Sequence, residues 1–125
     1  MKKENFLDLP CYTKDVVQQD FKKKIWRLCN EWVTPYESTE IVKILAPLTN
    51  NPNTPDPNAF NNKYGDNPIL RAASYGHTEI VKILAPLTDT PNVPNIDGET
   101  PIHNAACNGY TEIVIILVPM TDNRS

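Results

Sequence analysis

The chain has 125 residues, 40% of them hydrophobic, and carries a formal net charge of −3. This length fits one domain with a modest core, and the acidic balance excludes a general electrostatic attraction to nucleic acid. The charge is uneven, because residues 1–30 hold seven Lys/Arg and four Asp/Glu whereas residues 31–125 hold five and eleven. Electrostatic steering should therefore differ between the two ends.

The cysteines and the absence of a long apolar segment bear on the compartment. Cys11, Cys29 and Cys107 are odd in number and widely spaced, which argues against a disulfide framework and against a CxxC metal site. We interpret them as reduced intracellular thiols. No apolar segment follows the polar start as in a signal peptide. The longest apolar stretch, Ile113–Val118, is far shorter than the roughly 20 residues that cross a bilayer. We therefore expect a cytoplasmic protein, with the nucleus as the alternative, and no membrane partner.

The first predicted element is a helix from about Asp15 to Trp32, preceded by a flexible arm over residues 1–12. Thr13 or Asp15 would cap its start. Apolar residues recur every three or four positions along it, as one buried face requires. These are Val17, Phe21, Ile25, Leu28 and Trp32.

A basic cluster in this helix has two interpretations. It comprises Lys22, Lys23, Lys24 and Arg27, and such a cluster can be a weak nuclear-import or nucleic-acid patch. Asp20 forms a favourable helical pair with Lys24, however, as expected of an ordinary solvated face. We favour the solvated face and expect no nucleic-acid partner.

One segment occurs three times in the chain. Residues Ser38–Asn50 return as His77–Asp89 and again as Tyr110–Asp122, with the equivalent threonines 39 and then 33 residues apart. A period in the thirties is typical of a solenoid in which each unit buries the apolar face of its neighbour. Each copy predicts a short helix that ends before its shared proline, because proline disrupts a helix interior. Those prolines are Pro47, Pro86 and Pro119.

A second helix is predicted ahead of the last two copies, over residues 66–76 and 99–109. Asn67 and Thr100 are good N-cap residues, and each is followed by a proline at the first helical position. Gly76 and Gly109 can adopt the left-handed conformation that ends a helix. Paired alanines in the middle of each helix would let another helix approach closely. Each unit is therefore predicted to be a pair of antiparallel helices.

Proline- and asparagine-rich loops separate the units. The loop at residues 51–64 is six residues longer than its counterpart at residues 90–97, which explains the two different repeat lengths. Gly65 and Gly98 supply the positive φ of a tight turn. The predicted single repeat domain, 13–125, divides into an N-terminal cap with the first unit at 13–52, a second repeat at 53–91 and a third at 92–125.

The order of turn glycine, Thr-Pro-Ile-His, Ala-Ala, Gly and Thr-Glu-Ile-Val resembles the ankyrin repeat. The resemblance covers residues 61–122 in two units and Ser38–Asn50 as the second helix of another. It implies an all-α ankyrin-repeat solenoid of about two and a half to three helix-pair repeats with an N-terminal capping helix. Asn67 and Leu70 depart from the family's threonine and histidine, so we expect fewer side-chain hydrogen bonds at that helix start.

The resemblance also implies a binding surface, because ankyrin proteins contact partners through their turn tips and the exposed side of each first helix. We regard Tyr64 and Tyr75 as the strongest of these candidates, since tyrosine supplies large contact area at little rotamer cost. Ordinary surface packing is the alternative role for each candidate. The residues at these positions are Lys63, Tyr64, Asp66, Ser74, Tyr75, Ile96, Asp97, Glu99, Cys107 and Asn108.

An enzyme is not expected. The resemblance implies structural roles for His77 and His103, the two histidines of the chain. Neither has a nearby nucleophile with a third orienting group. His103 and Cys107, four residues apart, make at most a nucleophile and base or half of a metal site, because one Cys and one His do not close a site. We expect no catalytic residue, metal or cofactor.

Two functions remain open at this point. The first is a protein-protein interaction module, an adaptor or inhibitor that binds another protein through the turn tips and the concave helix face. The second is a structural or assembly segment of a longer ankyrin array, or a chain that self-associates as a homo-oligomer through its C-terminal helix. Ile115 replaces Lys43 and Lys82 of the earlier copies, and Val118 replaces an alanine, which leaves that helix more apolar than a terminal cap should be. Alternatively, Ile115 turns inward.

Overall fold

The computed structural model describes residues 11–31, 36–54 and 64–120, with the side chains of residues 11–15 left aside. These residues form six α-helices in three pairs, and they include no β-strand. The helices are α1 (Cys11–Cys29), α2 (Tyr36–Leu45), α3 (Pro68–Tyr75), α4 (Thr78–Leu84), α5 (Pro101–Cys107) and α6 (Thr111–Leu117). The predicted all-α repeat architecture is confirmed.

The pairs stack in chain order. The first helices pack in series, α1 on α3 and α3 on α5, while the second helices do the same, α2 on α4 and α4 on α6. The long α1 is therefore the first helix of the first pair, and it also forms one end of the described stack. No helix among the described residues combines the length and the apolar character that crossing a bilayer requires.

The first helix differs from its predicted bounds. It begins at Cys11, so that Cys11 and Tyr12 are helical although we assigned them to the arm, and it ends at Cys29 rather than at Trp32. The predicted start lies just before the first residues of the apolar pattern, but a helix can begin one turn before that pattern. The rest of the predicted arm, residues 1–10, and Trp32 lie outside the described residues.

The helix starts of α3 and α5 are capped as predicted, and the expected weakness of α3 is wrong. Asn67 Oδ1 accepts a hydrogen bond from the N–H of Leu70 at 2.9 Å, as Thr100 Oγ1 does from His103 at 3.2 Å. A loop asparagine adds a second bond in both units. Asn53 Oδ1 accepts from the N–H of Ile69 at 2.7 Å, and its counterpart in the next loop accepts from α5 at 3.0 Å. Asparagine therefore replaces threonine without loss of a cap.

Each second helix ends immediately before the residue that precedes its proline. A single 3₁₀ turn follows it, at Ala46–Leu48, Ala85–Leu87 and Val118–Met120. The hydroxyl of Thr49 donates to the carbonyl of Leu45 at 2.6 Å, and the equivalent threonine of the next unit makes the same bond. The proline removes a helical N–H, and the threonine satisfies one of the carbonyls left at the helix end.

The core runs through the stack between the two rows of helices. Its largest fully buried side chains are aliphatic, and small residues line the contact between consecutive first helices. The Cys29 thiol also lies in this core, and burial raises its pKa well above the usual range, which keeps it protonated. The main core residues are Ile25, Val42, Ile69, Ala72, Ala73, Ile80, Val81, Leu84, Ala105, Ile113 and Leu117.

Candidate functional site

Two neighbouring turns form the candidate site, which we call the turn surface: residues 64–67 before α3 and residues 95–99 before α5. Asn95 organises the second turn. Its Oδ1 accepts hydrogen bonds from the N–H groups of Asp97 and Glu99 at 2.9 and 3.0 Å, and its backbone N–H donates to the Glu99 carbonyl at 2.9 Å. Gly98 completes the turn with a φ of 81°. The tip residues Ile96 and Asp97 are thereby held outward.

The same asparagine joins the turns of two units. Its Nδ2 donates to Asp66 Oδ1 at 2.8 Å and to Glu99 Oε1 at 3.0 Å. A backbone bond lies beside it, from the Ile96 N–H to the Tyr64 carbonyl at 2.9 Å. The turn surface is therefore one connected structure, although loops often move independently.

Asn95 was not among the predicted site residues. Its side chain is buried, 8% exposed, and the prediction considered only residues expected to reach solvent. A usable signal was present, because an asparagine stands three residues before the turn glycine in both units, at Asn62 and Asn95. Asparagine favours such a position since its side chain can bond the backbone two residues further on. Asn62 itself lies outside the described residues.

Asp66 is not an exposed tip residue, contrary to prediction. It is 7% exposed, and its Oδ2 lies 2.8 Å from Arg71 Nε. Arg71 also donates to Asn30 Oδ1 at 2.9 Å, and its guanidinium lies 5.4 Å from the centre of the Trp26 ring. Ion pairing, cation–π contact and hydrogen bonding thus connect the turn surface to α1 through one arginine.

The predicted helix positions Ser74 and Tyr75 are half-buried rather than open. Ser74 Oγ accepts a hydrogen bond from Asn104 Nδ2 at 2.9 Å, and the Ser74 carbonyl accepts from Asn108 Nδ2 at 3.2 Å. The Tyr75 ring lies 5.9 Å from that of His77. Ser74 therefore contacts the following unit, and Tyr75 contacts a residue of its own unit.

The remaining predicted residues are exposed or lie outside the description. Tyr64 is 40% and Ile96 77% exposed, and Asp97 and Glu99 are exposed beside them. Ile96 lies over Gly65, close to where a side chain on that glycine would stand. Cys107 and Asn108 are exposed at the end of α5. Lys63 falls among the residues that the structure does not describe.

The two histidines differ in their surroundings. His77 is buried, with Nε2 2.6 Å from the carbonyl oxygen of Glu31, so its ring connects the start of α4 to the segment that follows α1. The His103 backbone is part of the α5 cap, but its imidazole is exposed, and Nε2 lies 3.5 Å from Cys107 Sγ. The structural role expected of His103 therefore belongs to its backbone and not to its ring.

A cleft of about 480 Å³ lies next to the first turn. Asn51, Asn53, Asn67, Thr88 and Asp89 are among its lining residues. Asp89 is the one charged side chain among the described lining residues, and we place no site there. In the described part of the chain, no three His, Cys, Asp or Glu side chains are grouped so that they could bind a metal ion.

Comparison with known proteins agrees with the stacked helix pairs. A family model of ankyrin repeats (3 copies) matches residues 32–124. No curated protein and no solved structure matches the chain. The match covers most of the sequence, including every described helix except α1. The chain therefore belongs to the ankyrin repeat family.

Proposed function

We propose that this chain is an adaptor or inhibitor that binds another protein through its turn surface. Ankyrin repeats are generally protein-protein interaction modules, and the family is typically non-enzymatic. The observation that carries the proposal is the exposed pair Tyr64 and Ile96, held next to each other by the backbone bond between their turns. Two exposed apolar side chains on a rigid support suit a binding surface, because little conformational entropy is lost when a partner covers them.

The charges around this pair indicate the kind of partner. Asp97 and Glu99 are exposed on the same turn as Ile96, and the Asn95 bonds fix the backbone of both. Carboxylates at the rim of an apolar patch favour a partner with basic residues at matching positions, mainly through association rate and specificity. We therefore expect a protein segment with an apolar centre and a Lys/Arg flank.

Affinity capture with paired variants tests this proposal. The turn variant carries Tyr64→Ala and Ile96→Ala, and the matched control carries Lys43→Ala and Lys82→Ala on the outer face. We define the outer face as the exposed side of α2, α4 and α6 that carries Lys43, Lys82 and Ile115. Proteins bound by the wild type and the control but lost by the turn variant would support the turn surface. Equal capture by all three, or loss only in the control, would show that this surface is not used.

A second function, assembly through the C-terminal helix, is favoured by two exposed side chains. Ile115 is 64% exposed and Val118 44% exposed. The alternative that Ile115 turns inward is wrong. Val118 suits contact with a further repeat, because its counterpart Ala85 is covered one unit earlier. Ile115 suits self-association, because its counterparts Lys43 and Lys82 are exposed.

A further inference from the structure

His103 and Cys107 form a pair that the turn surface does not use. They lie one turn apart on α5, both are exposed, and Nε2 of the imidazole is 3.5 Å from Sγ of the thiol. Cys107 forms no disulfide. A catalytic pair would need a third group that orients the histidine. The described contacts of the imidazole include no carboxylate or carbonyl in that role.

The pair lies on the face where the stack ends. His103 and Cys107 correspond to Leu70 and Ser74 one unit earlier, and those residues are covered: Leu70 is 2% exposed, and Ser74 bonds Asn104 of the following unit. Other positions are likewise covered in the preceding unit and more exposed in the last one. We define the end face as the residues of α5, α6 and the turn after α6 whose counterparts are covered in the preceding unit: Ile102, His103, Ala106, Cys107, Val114 and Val118.

Two alanines show this change most clearly. Ala73 is fully buried under α5, whereas its counterpart Ala106 is exposed. A glycine contact repeats the pattern. The Tyr110 ring packs closely on Gly76, but nothing lies near Gly109 at the equivalent place. The end face therefore has the small and apolar residues that are typical of a contact between two repeats. The imidazole of His103 and the thiol of Cys107 belong to the same face.

The geometry of the pair matches that of zinc ligands. Zn–S bonds of about 2.3 Å and Zn–N bonds of about 2.0–2.1 Å at a tetrahedral angle place sulfur and nitrogen about 3.5–3.6 Å apart. The observed separation is 3.5 Å, so a zinc ion could bind both atoms with little rearrangement. Thiolate and imidazole are also the ligands that zinc prefers in proteins.

We propose that the end face binds Zn²⁺ between two copies of this chain. One copy supplies two ligands, and no group of three candidate ligands occurs among the described residues. A second copy related by a two-fold axis supplies the same pair again, because a two-fold interface uses one patch on both subunits. The result is a closed Cys₂His₂ site. This proposal is independent of partner binding at the turn surface, and it revises the expectation that one Cys and one His bind no metal.

The electrostatics and the surroundings favour this arrangement over a zinc ion bound to one copy. Two thiolates neutralise Zn²⁺, so that the site can be buried between two apolar faces without a net charge. Ala106 and Val114 beside the ligand pair would be covered at the same time, as their counterparts Ala73 and Val81 are inside the stack. A zinc ion held by one copy would leave two positions to water and this apolar surface exposed.

Analytical ultracentrifugation of the full chain tests the proposal. Samples contain a non-chelating reductant, which prevents disulfide dimers, and either a chelator or added ZnCl₂. We expect the dimer to be at least about tenfold more stable with zinc than with chelator, at one zinc per two chains. Co²⁺ in place of zinc should give the thiolate-to-metal absorption and the strong visible bands of a tetrahedral site.

Three variants assign the ligands. Cys107→Ser and His103→Ala change exposed side chains, and the α5 cap uses only the His103 backbone, so both variants should fold. Each should abolish the zinc-dependent stabilisation, so that the dimer of either variant is equally stable with zinc and with chelator. Cys11→Ser is the matched control that keeps the pair, and it should behave as the wild type.

Several results would overturn the proposal. These are an unchanged molar mass in zinc, a stoichiometry of one zinc per chain without dimerisation, or a zinc-dependent dimer that persists in Cys107→Ser or His103→Ala. Loss of zinc-dependent dimerisation in Cys11→Ser would indicate that Cys11 is a ligand, and it would also contradict the proposal. Capture of a protein partner at the turn surface has no bearing on any of these outcomes.

Discussion

Asn95 Nδ2 lies 2.8 Å from Asp66 Oδ1, and this bond joins the turns of two consecutive units. Both residues are buried, so that loss of either side chain removes a hydrogen bond from a site that is largely shielded from water. The carboxylate is shared with Arg71, which in turn reaches α1. The outermost turn and the first helix of the stack are thus connected through three side chains.

Asn95→Ala should destabilise the protein by about 1–3 kcal/mol, because it removes several hydrogen bonds and leaves buried groups without their partner. Urea denaturation followed by circular dichroism measures the change. Asp97→Ala is the control, since the Asp97 contact with Asn95 uses only its backbone N–H, and it should stay within about 0.5 kcal/mol of the wild type. Equal effects of the two changes would show that the Asn95 side chain is not what holds this turn.

Gly76→Ala and Gly109→Ala form a matched pair. Both glycines have positive φ, 79° and 77°, so each alanine incurs the left-handed penalty of about 1–2 kcal/mol. Only at Gly76 would the new Cβ also meet a neighbour, 2.9 Å from the Tyr110 ring. Gly76→Ala should therefore be the more destabilising in thermal melts. If the melting temperatures fall equally, the Tyr110 contact contributes nothing to the stack.

Self-association in metal-free buffer should depend on the outer and end surfaces of α6. We expect concentration-dependent association of the wild type in the presence of chelator, and we expect Ile115→Lys with Val118→Ala to reduce it by removing exposed aliphatic area. Sedimentation at several concentrations measures this. Leu87→Ala, which changes an exposed leucine one unit earlier in the stack, is the control. A wild type that stays monomeric at high concentration would show that these side chains alone do not drive association.

The long loop should tolerate shortening if its asparagine is kept. Deleting residues 55–60 gives it the length of the shorter loop and leaves Asn53, whose side chain accepts the Ile69 N–H. Loop length changes closure entropy slowly, so the midpoint of thermal unfolding should move by only a few degrees. Deleting residues 53–58 also removes Asn53 and should cost about 1–3 kcal/mol more. A comparable loss from both deletions would mean that the deleted segment itself contributes to stability.

The helix pairs could be predicted from the sequence because their signals are local. Three local signals mark the helix boundaries within one or two residues. They are proline at the first helical position, glycine after the last helical position, and proline after each second helix. The start of α1 was missed because its first turn has none of the apolar residues that marked the helix. Periodicity locates the buried part of a helix, not its polar end.

The contents of the site were harder to predict, because the decisive contacts join residues distant in sequence. Asp66 and Glu99 occupy the same position of the repeat, and the local difference that bears on their burial is Arg71, where the third unit has Asn104. Asp66 is buried because Asn95 of the following unit and an arginine of its own helix bind it, whereas Glu99 at the last turn is exposed. The position of a residue within the repeat predicts the burial that is usual for that position. Whether the residue is buried in this protein depends on which neighbouring units cover it.

The loop asparagines have a consequence for how this array could be lengthened or shortened by engineering. Asn53 and Asn92 lie 16 and 10 residues before the helical residues whose N–H groups they accept, so the segment that folds as one unit starts before the proline of its first helix. A duplicated module should therefore be cut ahead of the asparagine. A module cut at Pro68 or Pro101 separates a helix from the asparagine that caps it, so its first helix would depend on an asparagine at the matching position of the preceding loop.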